Sequence, residues 1–244
     1  MLKPILVSLS LLLPAAGFAD TPVTFSSPIQ QTTLIELYTS QGCSSCPPAD
    51  QWLSTLKDDP RLWKEIIPVA FHVDYWDYLG WKDIYSKAEY SQRQRNYARW
   101  QNIATVYTPG FLQNGKEWRG WFRRHNLNNA LGEKIGQLTV TIMGRVVTAS
   151  FNPVKEIQDP IFLNFAWLGF DLETRVQAGE NEGKTLEHDF VSYDTNTIKG
   201  TVKGKTYYWQ FDAEIADLPT RKGAAFWVTS GNNPTPLQAT GGWL

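Results

Sequence analysis

The chain has 244 residues, 23 Lys and Arg against 24 Asp and Glu for a formal charge of −1, and a hydrophobic content of 42%. This near-neutral balance gives nucleic acid no basic surface, and a chain of this length builds an ordinary core without disulfide staples. The length exceeds the usual ~100 to 200 residues per domain, so two compact units are expected.

Lys3, the apolar run Ile5 to Leu13 and the small residues of Gly17-Phe18-Ala19 have the pattern of a secretory signal. Residues 1–19 are assigned to it, with cleavage near Ala19. Its removal leaves 22 basic against 24 acidic residues. The apolar run is too short to span a bilayer comfortably and no later run replaces it, so no membrane span is expected. Export places the chain in the periplasm or outside the cell, where disulfides persist.

Thr33 to Thr39 reads as a buried strand through its apolar and β-branched content. It leads into Gly42-Cys43-Ser44-Ser45-Cys46-Pro47-Pro48, which holds the only two cysteines of the chain. Prolines 47 and 48 suit a first helical turn, whose N–H groups lack partners anyway, and Ala49, Leu53 and Leu56 continue at helical spacing until Pro60. A thiolate at a helix N-terminus is stabilised by unpaired N–H groups and the helix dipole. Cys43 is therefore expected to be the exposed, low-pKa thiol and Cys46 the shielded, resolving one.

Ile66 to Val73 is the next expected strand, ending with His72. Residues 74 to 82 form an aromatic loop with Tyr75, Trp76, Tyr78 and Trp81, and 83 to 103, free of Gly and Pro, read as a helix. Thr108-Pro109 precedes two short strands joined by Asn114-Gly115, a strong hairpin signal. Residues 123 to 136 read as a further helix with Leu127, Leu131 and Ile135 on one stripe. From Gln137 the pattern changes to alternating runs at 138–143, 145–151, 161–169, 171–177, 205–215 and 224–229. Residues 231 to 242, rich in Pro and Gly, read as a surface tail.

Three readings of the cysteines stand side by side: a thiol–disulfide pair, a structural disulfide in a non-catalytic binding module, and a copper or other metal carrier using both thiolates with His72. Two thiolates alone supply only half of a tetrahedral zinc site. His72 also reads as a packed or capping residue, and His125 and His188 as surface or turn histidines. Glu36, in an apolar strand, is either a desolvated acid able to exchange a proton with Cys46 or an outward-facing carboxylate. The arginines at 93, 95 and 99, and at 119, 123 and 124, are read as solvated faces rather than an anion site. The aromatic loop is either core or the wall of a substrate groove, with Tyr75, Trp76 and Trp81 as candidates.

The wording from Glu36 to Asp50, with His72 to Trp81 and Val106-Tyr107-Thr108-Pro109, resembles the thioredoxin superfamily. More narrowly it is similar to an exported bacterial thioredoxin-like family known as a domain of unknown function. The resemblance covers roughly residues 33 to 136 and is weaker over the β-rich half, where Gly179 to Leu186 is similar without an implied role. It implies an α/β thioredoxin-like domain over 20–136 with an insertion at 74–103, followed by a mainly antiparallel β domain over 137–244. It also implies that Cys43 attacks, that Cys46 resolves, and that Pro109 is a cis-proline facing the disulfide and leaving the backbone of Thr108 open to an extended substrate. Glu36 lies near the superfamily's buried acid, offset by about one position. The function so implied is thiol–disulfide exchange without a cofactor, on cysteine-containing periplasmic proteins or small thiols.

Overall fold

In the computed structural model of the chain, the residues described are 21–123, 127, 132–214 and 221–244. The expected signal segment and half of the expected helix 123–136, His125 included, lie outside them. The elements are β1 (Val23–Ser26), β2 (Thr33–Thr39), α1 (Pro47–Ser54), β3 (Ile66–His72), α2 (Ala88–Arg99), β4 (Gly110–Gln113) and β5 (Lys116–Glu117). They continue with β6 (Gly136–Met143), β7 (Val146–Pro153), β8 (Ile161–Gly169), β9 (Leu172–Arg175), β10 (Thr185–His188) and β11 (Val191–Lys199). The last are β12 (Thr201–Lys203), β13 (Thr206–Asp212), β14 (Lys222–Ser230) and β15 (Gln238–Trp243).

An eight-stranded mixed sheet runs in the order β15-β14-β8-β11-β3-β2-β4-β5, so strands from both sides of residue 136 share one sheet. β2 and β3 are parallel over their whole length, Thr33 to Thr39 against Ile66 to His72. β11 joins them to the rest through a short parallel contact at Ala70 and a full antiparallel ladder with β8. A five-stranded antiparallel sheet, β1-β6-β7-β13-β12, covers part of one face, and β9 and β10 form a separate hairpin.

Alternation along the central strands explains why both faces are apolar. Leu163, Phe165 and Trp167 of β8 and Phe226 and Val228 of β14 pack with Leu138, Val140 and Phe151 of the second sheet. The intervening Ala166 and Leu168, with Ala225 and Trp227, face the opposite way onto the core of β2, β3, α1 and α2. Strands buried on two faces read as continuous apolar runs rather than as alternating ones.

The expected architecture, an α/β thioredoxin-like domain followed by a β domain, is therefore corrected. The described chain is mostly β, in several sheets, with two α-helices only. The helix expected over 83–103 is confined to Ala88–Arg99, and residues 132–135, placed in the next expected helix, lead into β6 without helical structure. The expected tail 231–242 contains most of β15. There Gly242 sits where an added Cβ would lie 2.2 Å from the Phe25 ring, and Gly241 where one would lie 2.4 Å from the Ala224 carbonyl. These glycines serve close approach between packed layers, which a composition of Pro and Gly does not distinguish from a loop.

Candidate active site

β2 ends in the turn Ser40-Gln41-Gly42, the chain closes the disulfide Cys43–Cys46 with Cα atoms 5.4 Å apart, and Cys46 caps α1. Pro47 and Pro48 occupy the first helical positions, and the carbonyl of Cys46 accepts from the N–H groups of Ala49 and Asp50 at 2.8 and 3.1 Å. Ser44 and Ser45 are exposed, whereas Cys43 and Cys46 are 1% and 0% exposed. The expectation of an exposed Cys43 is thus corrected for the disulfide form.

A segment from the distal half lies against this loop. Asn181 donates through Nδ2 to the carbonyls of Gln41 and Cys43, both at 2.9 Å, and Lys184 Nζ holds its Oδ1 at 2.9 Å. Glu180 Oε2 accepts the N–H of Ser44 at 2.9 Å, and that bond holds its carboxyl below the usual range.

The Thr108–Pro109 peptide bond is cis. β4 begins at the next residue, where Gly110 pairs with Tyr38, so Thr108-Pro109 stands beside the end of β2 from which the cysteine loop departs. Trp76 Nε1 donates to Thr108 Oγ1 at 2.7 Å, and the base of its side chain crowds Gly42, where an added Cβ would meet Trp76 Cβ at 3.2 Å. Trp81 Nε1 donates to Gln41 Oε1 at 3.0 Å. Tyr75 turns toward α2 and donates to Gln94 at 3.1 Å; burial pushes its hydroxyl up to about 12. Trp76 and Trp81 therefore border the cysteine loop, and Tyr75 stands between Thr108 and α2, with hydrogen bonds to Thr108 and Gln94.

Glu36 is fully buried and held elsewhere. Its carboxylate accepts from Arg93 Nε at 2.7 Å, Tyr97 OH at 2.6 Å and Tyr38 OH at 3.3 Å. Arg93, read from sequence as part of a solvated face, is mostly buried, with its guanidinium 4.8 Å from the Trp227 ring centroid.

Behind the cysteine loop lies a buried acid–base cluster. His72 Nδ1 pairs with Asp83 Oδ2 at 2.7 Å, both side chains fully buried, and the same carboxylate accepts the N–H of Gln41 at 2.8 Å. Burial depresses the His72 imidazolium, yet the attraction of Asp83 outweighs it and the pKa is raised; burial raises Asp83, and His72 brings it below its ordinary value. The His188 ring stands 4.9 Å from that of His72 at a steep angle, and burial with the His72 charge lowers its pKa to about 3. Asp50 accepts from Thr39 Oγ1 at 3.0 Å, lies 4.0 Å from His188 Nδ1, and is raised by burial to about 7. His72 Nε2 and His188 Nδ1 have no hydrogen-bond partner.

His188 is corrected from a surface or turn histidine to a buried one. The signal was available in Leu186 and His188, whose period-two spacing puts both on the inward face of β10. The sequence alone assigns no role to Asp50, Asp83, Glu180 or Asn181, which acquire one only where distant elements meet. Among the described residues no three His, Cys, Asp or Glu side chains are grouped so as to hold a metal ion, and no helix is long and apolar enough to cross a membrane.

Residues 34–229 match the family described as Protein of unknown function (DUF1223). Among curated proteins nothing matches. Of solved structures, protein AGR_C_4864 from Agrobacterium tumefaciens is similar at a TM-score of 0.63 and 24% identity, over 87% of this chain and 93% of that one. HBP35 of Porphyromonas gingivalis is similar at a TM-score of 0.57 and 15% identity, over 89% of this chain and 76% of that one. Both are likenesses of fold.

Proposed function

The chain belongs to that family, and we propose that it is a thiol–disulfide oxidoreductase of an oxidising compartment, the periplasm or the cell exterior. One observation carries the reading: the chain's only two cysteines form a disulfide at the N-terminus of α1, on the loop that leaves the end of β2, the strand end that pairs with Gly110 just after Thr108-Pro109. Closing so short a loop removes little entropy from the unfolded chain, so stabilisation does not account for it. A sulfur at the unpaired N–H groups of a first helical turn is a good leaving or attacking thiolate.

In this reading Cys43 exchanges with the partner and Cys46 resolves. Thr108 and Pro109 meet the partner's backbone, while Trp76 and Trp81 wall the approach and Tyr75 supports α2 behind them. Glu36 is a structural carboxylate, bound to Arg93. The resemblance to the thioredoxin superfamily enters only through the CxxC, Thr108 and Pro109, and an α/β fold is no part of it. No cofactor takes part; the partners are cysteine-containing proteins or small thiols. The export signal over residues 1–19 belongs to the same proposal.

Burial of both sulfurs favours one competing reading, a binding module with a structural disulfide. Trapping separates them. Cys46→Ser is expected to accumulate mixed disulfides through Cys43 in the exporting cell that dissolve on reduction. No adducts, with the variant folded, would leave the structural reading standing.

A further inference from the structure

Cys46 is fully buried, yet opening the disulfide places an electron pair, and with it a negative charge, on its sulfur. A charge left there without a counter-charge or a proton is costly. The reaction therefore needs a proton-handling group within reach of a sulfur that bulk water does not touch. Glu36 is already bound to Arg93 and two tyrosines.

Asp50 stands four residues beyond Cys46, and its N–H donates to the Cys46 carbonyl. That spacing puts it on the same helix face one turn on, with a side chain that leans back toward the N-terminus. Thr39 Oγ1 donates to its carboxyl from β2, and His188 of β10, 2% exposed, stands with Nδ1 4.0 Å from Asp50 Oδ2 and without a hydrogen-bond partner there. A crevice of about 170 Å³ between α1 and β10, lined by Pro47, Asp50, Gln51, Leu186, Glu187 and His188, connects the pair to the surface. Around the pair, Gln41 Nε2 stands 3.4 Å from His188 Nε2, His72 from β3 is paired with Asp83, Asp77 and Tyr85 lie beyond them, and Glu187 faces the crevice.

We propose that Asp50, with His188 beside it, gives a proton to Cys46 when the disulfide opens and takes it back when the disulfide closes, the crevice being the route to solvent. The inference rests on the oxidoreductase reading. When a partner dithiol is oxidised, its thiolate attacks Cys43 Sγ, the Cys43–Cys46 bond breaks, and Cys46 leaves with the electron pair. The proton on Asp50 moves to Cys46, which becomes a thiol, and Asp50 becomes a carboxylate. The partner's second thiolate then attacks its own sulfur in the mixed disulfide and expels Cys43. In reverse, the Asp50 carboxylate takes the Cys46 proton, and the thiolate attacks the mixed disulfide. An acid near neutrality suits both directions, as the burial of Asp50 provides.

The test is reduction of the oxidised protein by dithiothreitol from pH 5 to 9. After correction for the reagent's own ionisation, the wild-type rate is expected to keep an inflection near neutral pH. Asp50→Asn, which retains an acceptor for Thr39, should lose that inflection and slow opening at pH 6 by at least ~10²-fold. Asp50→Glu should restore part of both, and His188→Gln should slow opening while the inflection remains. An Asp50→Asn profile identical to wild type overturns the inference. If that variant does not fold, the infrared difference spectrum between oxidised and reduced wild type decides: a change in the carboxylic acid C=O band supports it, and none overturns it. A wild-type disulfide that resists dithiothreitol altogether instead removes the oxidoreductase reading, a result distinct from an unchanged profile.

Discussion

Replacing Arg93 with Met removes the cation of a buried ion pair and keeps most of the side chain's length. Glu36 has no exposure, Arg93 keeps 17% of its side-chain surface, and their contact is 2.7 Å. The variant leaves a carboxylate in the middle of β2 with two phenol donors, Tyr97 and Tyr38, and no counter-charge. It also strips the cation from above the rings of Trp227, Phe71 and Tyr97. Breaking a buried pair by removing one partner costs about 3–5 kcal/mol. At a slope of about 2 kcal/mol/M, the urea midpoint should fall by about 2 M at pH 7. The double variant Glu36→Gln, Arg93→Met removes both charges and should recover at least half of that loss, since neither ion is stranded. A single variant within about 1 kcal/mol of wild type, or a double variant that loses the sum of the two singles, would refute the ion pair as the structural centre of β2 and α2.

Gln238 is fully buried; its Nε2 faces the carbonyls of Pro28, Gln30 and Gly136, and its Oε1 accepts from Thr32 and Ala239, so Gln238→Ala should cost about 3 kcal/mol in chemical denaturation. His188 is held at about 3 against an ordinary value near 6.5, so its contribution to stability is present above pH 6.5 and lost as the pH falls toward 3. Between pH 7 and pH 4 that loss amounts to about 3 kcal/mol, and His188→Gln should escape it, so a variant with the wild-type acid slope would contradict the assignment. Asp50 acts with the opposite sign: its stabilising contribution is present below its ordinary range near 4 and lost as the pH rises to about 7, so Asp50→Asn should gain on wild type at pH 8. Asn181→Ala frees the carbonyls of Gln41 and Cys43 and should raise the rate of disulfide reduction by glutathione about tenfold.

The sequence was legible where local chemistry and tertiary context agree. β2 follows from its apolar run, the start of α1 from two prolines placed where N–H groups lack partners, and the β4–β5 hairpin from Asn114-Gly115, both at positive φ. It was illegible where a residue's meaning depends on distant chain. β11 is rich in polar residues over most of its length and is held by the ladder to β8, which no local pattern announces. β15 hides behind glycines whose purpose is the approach of Phe25 and Trp63. The fold class went astray for the same reason, since the strand runs after Gln137 read as a separate sheet although several complete the sheet of β2 and β3. Within the site, the cysteines and Thr108-Pro109 were visible as motifs. Asp50, Asp83 and His188 are 33 to 138 residues apart in sequence and acquire meaning only when α1, the loop after β3 and β10 meet.

The measurement that bears most directly on the proposed function is the equilibrium potential of the Cys43–Cys46 couple, taken in glutathione buffers with the thiol state read by alkylation. A redox-active pair is expected between roughly −270 and −120 mV, the span of exchanging CxxC proteins. A potential below about −300 mV, where structural disulfides lie, would contradict thiol–disulfide exchange and leave the bond as a fixed element of the loop.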